Sequence, residues 1–422
     1  MSGKNFGFWS ACGGLDFGLD GTGRRHTQSV ERISRRRFVR DTTAAALAVS
    51  GCASVPRGTA RHDLIGYTEY RTNLPTRYAN QVTSRACVVR ADGTGRRELA
   101  PELVQKENSW TQFAGWSPDG THAVIGSGWE SPENGAWEEE HKTFRMTEGW
   151  TYDTYLLEMA SGKLNNLTAV ERVSAYNSGL IFIPGAPPRL GFTALIDGVS
   201  HPFAMDLDGR NKRDLSQGTK GFAYGFSASP DGTRVAYHQD YKIYVADSDG
   251  ANARLIETGN PFNFVPQWSP DGQWLMFLSG EHYNCHPYLA RPDGSELRKL
   301  ADRGGYDGVM TVYDVYDFHG GSSDVPVWCL NGDFVYYTAK VGDAFELMCV
   351  SLDGKVEQLT HSAPGVHHYH VKPAPDGQRI AFGSTRSGRR QLYVARLDAT
   401  NARAITNVPA GSGAMWAHWQ FK

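Results

Sequence analysis

The stretch Asn263–Leu300, NFVPQWSPDGQWLMFLSGEHYNCHPYLARPDGSELRKL, decides the fold. An apolar run closing on a tryptophan (Phe264–Trp268) leads into Ser269-Pro270-Asp271-Gly272, and a second apolar run (Trp274–Leu278) leaves it. A polar loop, a third run closing on Arg291-Pro292-Asp293-Gly294 and a short outer run (Leu297–Leu300) complete the unit. Proline presets φ at the second position of such a turn, and Asp-Gly tolerates the φ that closes it. The same order recurs around Ser229-Pro230-Asp231-Gly232 with Asp247-Ser248-Asp249-Gly250, and around Pro375-Asp376-Gly377. Four-stranded units repeating every ~40–50 residues are the mark of a β-propeller.

Working outward, Trp116–Gly120 heads a second blade, which carries an insertion from Trp129 to Trp150. A weaker third blade runs through Arg189–Thr193 to Asp206-Leu207-Asp208-Gly209. The copies near 229 and 269 are blades 4 and 5. Blade 6 replaces the usual turn with Val327-Trp328-Cys329-Leu330-Asn331-Gly332, and blade 7 holds Pro375-Asp376-Gly377. Blade 1 has a second strand (Leu64–Arg71) and a third (Arg85–Arg90) but no first strand. Met415–Gln420 reads like the missing one, and its pairing beside Leu64–Arg71 would remove the open edge of a linear array. The expectation is an all-β chain: a single seven-bladed propeller of four-stranded antiparallel blades over residues 64–422, closed by its C-terminal strand. Six blades is the competing count, because blade 3 is weak.

A net charge of −2 leaves no basic excess to neutralise phosphates, which argues against nucleic acid as a partner. No run of about 20 apolar residues occurs that would span a membrane as a helix. Ser34–Arg40 contains an arginine pair, Arg35-Arg36, followed by the mild apolar run Thr42–Val49 and by Val49-Ser50-Gly51-Cys52. This order resembles a twin-arginine export signal ending in a lipobox, so residues 1–52 are expected to be a leader and 53–63 a tether. The alternative is a basic tail. The leader reading places the protein in the periplasm or cell envelope as a lipoprotein whose membrane contact is its lipid anchor. Cys87, Cys285, Cys329 and Cys349 have no CxxC spacing and fall in or beside strands, so buried free thiols are expected.

Candidate chemistry gathers on the face opposite the Ser-Pro-Asp-Gly turns. His238 ends a second strand, His282 and His286 occupy the matching loop of blade 5, His319 lies in the connection into blade 6, and His367-His368-Tyr369-His370 opens blade 7. Residues two apart in a strand share a face, so His368 and His370 could present both imidazoles to one ion. Such a cluster suits a divalent transition metal of unspecified identity. A lone loop histidine is more commonly solvated or bonded to backbone. Asp240, Glu281, Asp314 and Asp317 could orient imidazoles or serve as ligands themselves. In the blade 2 insertion, Trp129, Trp137 and Trp150 surround Glu138-Glu139-Glu140. They could stack on sugar rings, or pack an extra hairpin against the ring.

The Trp-Ser-Pro-Asp-Gly units, followed by Arg234-Val-Ala-Tyr237 or Arg379-Ile-Ala-Phe382, resemble the TolB-like repeats known as PD40 over roughly residues 64–421. That motif specifies fold and says little of function. Its relatives include TolB, the propellers of prolyl oligopeptidases and oligogalacturonate lyases. The partial resemblance to the lyases implies a β-elimination in which His238 is the base, and His282 or His286 together with His368 and His370 hold a metal, manganese by family resemblance. Gly365 stands where those lyases carry a glutamine ligand. Two functions are therefore expected: a binding propeller whose histidine-rich mouth takes an oligo- or polysaccharide or an envelope protein, and a metal-dependent lyase on uronic-acid oligosaccharides. A scaffold role like that of TolB is the third, though only a short tether precedes blade 1.

Overall fold

The computed structural model describes residues 63–145, 148–219, 221–308 and 321–421. The expected leader with Arg35, Arg36 and Cys52, nearly all of the expected tether, and Asp314, Asp317 and His319 lie outside the described residues. Seven four-stranded antiparallel sheets form the ring. The weak third blade is complete, with Ser174–Ile183 innermost and Arg213–Asp214 outermost. The six-bladed count is thereby excluded.

Ring closure follows the expected course. Ser412–Trp419 is the innermost strand of blade 1 and pairs antiparallel with Leu64–Arg71, from Ile65 opposite Trp419 to Arg71 opposite Ser412. Met415, Ala414 and Ala417 are fully buried there.

Each Ser-Pro-Asp-Gly turn is closed by its own side chains. In blade 2, Ser117 Oγ donates to Asp119 Oδ1 at 2.5 Å, and the same hydroxyl accepts from the His122 amide at 2.9 Å. The Thr121 amide donates to Asp119 Oδ1 at 3.1 Å. These bonds hold the Asp119 carboxyl below its ordinary range, and those of the equivalent Asp231 bring it down to about 2. Blade 6 keeps the geometry with different atoms: Cys329 Sγ meets Asn331 Oδ1 at 3.0 Å and accepts from the Phe334 amide at 3.2 Å. Cys329 is thus a serine substitute, and it, Cys87, Cys285 and Cys349 are all buried free thiols, as expected.

The tryptophan before the turn ties neighbouring blades together. Trp116 Nε1 donates to the His418 carbonyl at 2.9 Å, Trp419 Nε1 to the Lys372 carbonyl at 3.1 Å, and Trp328 Nε1 to the Gln267 carbonyl at 3.4 Å. Innermost strands also carry a bulge, where Gly225, Val265, His370 and Trp416 adopt φ between +49° and +64°. A bulge leaves an amide without a partner in its own sheet. Here the preceding blade supplies one. The Val265 amide donates to His238 Nδ1 at 3.2 Å, the Trp416 amide to His370 Nδ1 at 3.4 Å, and the His370 amide to Asp324 Oδ1 at 3.2 Å. Glycine is required at 225, because a Cβ there would sit 2.8 Å from the Val265 backbone and 3.0 Å from His238 Nδ1.

Removing residues 412–421 takes away the closing strand with buried Met415 and Trp419. At ~1.5–3 kcal/mol per large apolar side chain, the loss is expected to be on the order of 5 kcal/mol or more, comparable with a typical domain's whole stability. Circular dichroism melting of the truncated chain should show early or absent cooperative unfolding; an unchanged transition would contradict the closure.

Candidate functional site

The insertion of blade 2 folds as a helix, Pro132–His141, rather than a hairpin. Ser131 caps it, its Oγ accepting from the Asn134 amide at 3.1 Å, with Pro132 in the first turn. The short helix Arg77–Gln81 belongs to the equivalent loop of blade 1. An ion cluster joins the two. Arg77 Nη2 reaches Glu138 at 2.5 Å and Glu130 at 3.1 Å, and Asn134 Nδ2 donates to Glu130 at 2.9 Å. Both carboxylates are 1% exposed. Burial raises the Glu138 carboxyl to about 7, the Arg77 guanidinium opposing and Glu130 adding to the rise.

Beneath these helices the ring axis holds a cavity of about 550 Å³. Arg77, Glu138, Phe144 and Trp150 line its mouth. Deeper, the innermost strands contribute Tyr224, His370, Lys372, Trp416 and His418. Trp150 stacks on Tyr152 with ring centres 5.6 Å apart, and Trp416 stacks on His370 at 5.5 Å. Of the three tryptophans in the insertion, Trp150 lines the cavity. Trp129 instead lies beneath Lys106 Nζ at 3.6 Å, and Trp137 stacks on His141 at 4.0 Å.

Of the five histidines assigned from the sequence as base or metal ligands, His370 lines this cavity and His238, His282, His286 and His368 do not. His238 is buried between Tyr224 and Phe264, with Nδ1 engaged by the Val265 amide. His282 packs its ring on Phe262 at 4.9 Å and on Tyr283 at 4.2 Å. His286 Nδ1 accepts from the Arg303 amide at 3.1 Å. Other blades use the same position this way: Glu346 accepts from the Ser362 amide at 2.6 Å, and Gln391 from the Val408 amide at 3.0 Å. His286 is therefore the blade 5 version of a latch that holds the loop following the outermost strand.

His368 and His370 do not share partners, because the bulge between Tyr369 and Lys372 breaks the alternation on which a common face depended. His368 Nε2 meets Ser362 Oγ at 2.9 Å and Glu346 at 3.6 Å. His370 Nε2 faces the Ser323 carbonyl at 3.0 Å. Among the described residues, no group of three or more His, Cys, Asp or Glu could hold a metal ion. The donor set agrees with this, since at least one ring nitrogen in each of His238, His286, His368 and His370 is taken by the fold, and both are taken in His370. Among the described residues these histidines therefore do not come together as a manganese site.

Sequence reasoning passed over Lys372, Asp324, Trp416 and His418 as site residues. Their signal was positional: they lie in or beside innermost strands, which border the axis of any propeller.

Comparisons agree with this architecture. No family model matches the chain. It is 36% identical over 77 residues to the Tol-Pal system protein TolB of Thioalkalivibrio sulfidiphilus, covering 16% of this chain and 18% of that protein. It is 26% identical over 196 residues to the uncharacterized peptidase YuxL of Bacillus subtilis, covering 44% of this chain and 26% of the relative. The matches thus span about a quarter or less of these relatives. Among solved structures, an oligogalacturonate lyase in complex with manganese superimposes with a TM-score of 0.51 at 15% identity, covering 84% of this chain and 89% of that one. The chain is similar to TolB in its repeats and to oligogalacturonate lyase in its ring. At this identity the structural likeness shows the fold alone.

Burial holds His238, His368 and His418 neutral, each lowered to about 3 from an ordinary value of 6.5. Between those values the unfolded chain binds protons that the folded chain does not. Stability from these groups is thus complete above pH ~6.5 and is lost as pH falls toward ~3. Glu138 has the opposite sign, disfavouring the fold as pH rises from its ordinary value through about 7, but it stands against these three and against His286 and His370, which burial lowers as well. Melting temperature should therefore drop between pH 7 and pH 4. His238→Ala should cost about 1–3 kcal/mol by orphaning the Val265 amide, and His238→Asn, which keeps an acceptor, less. A pH-independent melting curve, or a neutral His238→Ala, would contradict the assignment.

Proposed function

We propose that the chain is a binding propeller of the cell envelope that takes a segment of an oligo- or polysaccharide into its axial cavity. The observation that carries this reading is the cavity itself. Its volume of about 550 Å³ falls within the ~300–1,000 Å³ typical of small-molecule sites. Its mouth sets the Trp150–Tyr152 stack beside Gln81 and Gln112, the combination of flat apolar faces and amide groups that suits a sugar ring. Of the imidazoles that a metal-dependent lyase would need, His238, His368 and His370 are meanwhile engaged between blades and His286 latches a loop. Manganese belongs to the structure of the lyase relative, and in this chain it is supported by fold likeness alone. An envelope protein remains the alternative occupant of the same mouth.

Export as a lipoprotein belongs to the same reading and rests on Arg35-Arg36 and on Cys52. Replacing both arginines by lysine should retain the precursor in the cytoplasm, and Cys52→Ala should prevent lipid attachment; normal export of the double-lysine variant counts against it.

Isothermal titration with cello-, chito- and galacturonate oligomers tests the cavity. Saturable binding to at least one series is expected, with Trp150→Ala weakening it about tenfold, the ~1–1.5 kcal/mol of a lost aromatic contact. Binding indifferent to Trp150→Ala places the ligand elsewhere.

A further inference from the structure

Lys372 follows the His370 bulge in the innermost strand of blade 7 and lines the axial cavity. Among the described residues its ammonium makes no hydrogen bond and no ion pair within 4.0 Å. The acidic group that most influences it is Asp324, whose oxygens are already engaged, Oδ1 by the His370 amide at 3.2 Å and Oδ2 by the Tyr306 hydroxyl at 2.9 Å. Arg77, the other lysine or arginine on the lining, is held by both Glu130 and Glu138. Burial pushes the Lys372 ammonium below its ordinary range, with Asp324 acting against that push. His370 and His418 are likewise disfavoured as cations by burial, and Lys372 adds to that effect at both. A charge taken from water without a partner is costly, and a ligand bearing the opposite charge relieves that cost by a charge-assisted hydrogen bond.

We propose that Lys372 makes the axial cavity selective for a ligand carrying a single carboxylate, its ammonium receiving that carboxylate while the Trp416 and Tyr224 rings border the rest of the molecule. This rests on the cavity being the binding site. A monoanion supplies the one direct partner that the ammonium lacks, whereas a dianion would bring a second negative charge toward the Asp324 and Glu138 carboxyls. The ligand class is thus an acidic sugar or a similar small organic acid.

Glucuronate and glucose share a ring and differ in the carboxylate, and Trp150 and Trp416 on the lining make tryptophan fluorescence a local reporter. Wild-type protein should bind glucuronate at least about tenfold more tightly than glucose. Lys372→Met should abolish the preference and Lys372→Arg preserve it. Without ligand, Lys372→Met should melt at about the same temperature, because Lys372 is half-buried and its ammonium has no hydrogen bond or ion pair to lose. Equal wild-type affinity for both sugars, or a preference that survives in Lys372→Met, overturns the carboxylate assignment and leaves the cavity reading intact. No saturable response to either sugar overturns both.

Discussion

The amide at the bulge of an innermost strand is the constraint on which the ring depends. A left-handed residue at that point, Val265, His370 or Trp416, turns its N–H out of its own sheet, and a buried N–H must find an acceptor. The preceding blade provides one from a side chain: His238, Asp324 or His370. Each contact contributes about 0.5–1.5 kcal/mol net, but leaving the amide unsatisfied would cost more. Register between blades is therefore set by polar atoms close to the axis, while the tryptophan donors of the Trp-Ser-Pro-Asp-Gly units set it farther along the same strands.

This arrangement explains which features were legible in the sequence. Blade count, closure by the C-terminal strand and the buried thiols were readable, because each follows from local turn chemistry or from periodicity along the chain. The histidine cluster was legible as a set of residues but not as geometry. Strand alternation places His368 and His370 on one face, and one bulge residue with φ of +51° undoes it. Nothing in the triplet itself announces that bulge. His286 misleads for another reason. Its blade 5 loop resembles a ligand loop, and only comparison with Glu346 and Gln391 in the next two blades reveals a repeated latch.

What remains for function is the axis. A closed propeller brings innermost strands around one cavity, so residues far apart in sequence, such as Tyr224, Lys372 and Trp416, come to line a common space, which Trp150 joins from the blade 2 insertion. Helices Arg77–Gln81 and Pro132–His141 border its mouth through an ion cluster whose two carboxylates share Arg77. The fold thus uses His238, His286, His368 and His370 for construction and leaves an aromatic, sparsely charged cavity for a ligand.

Long-range ¹H–¹⁵N spectra of the imidazoles, recorded before and after addition of Mn²⁺, test this division most directly. With Nδ1 accepting from a backbone amide, His238, His286 and His370 should all be Nε2–H tautomers, and their signals should survive Mn²⁺ without selective broadening. Selective loss of the His282, His286, His368 and His370 resonances at stoichiometric Mn²⁺ would contradict the account and restore a metal centre at the blade mouths.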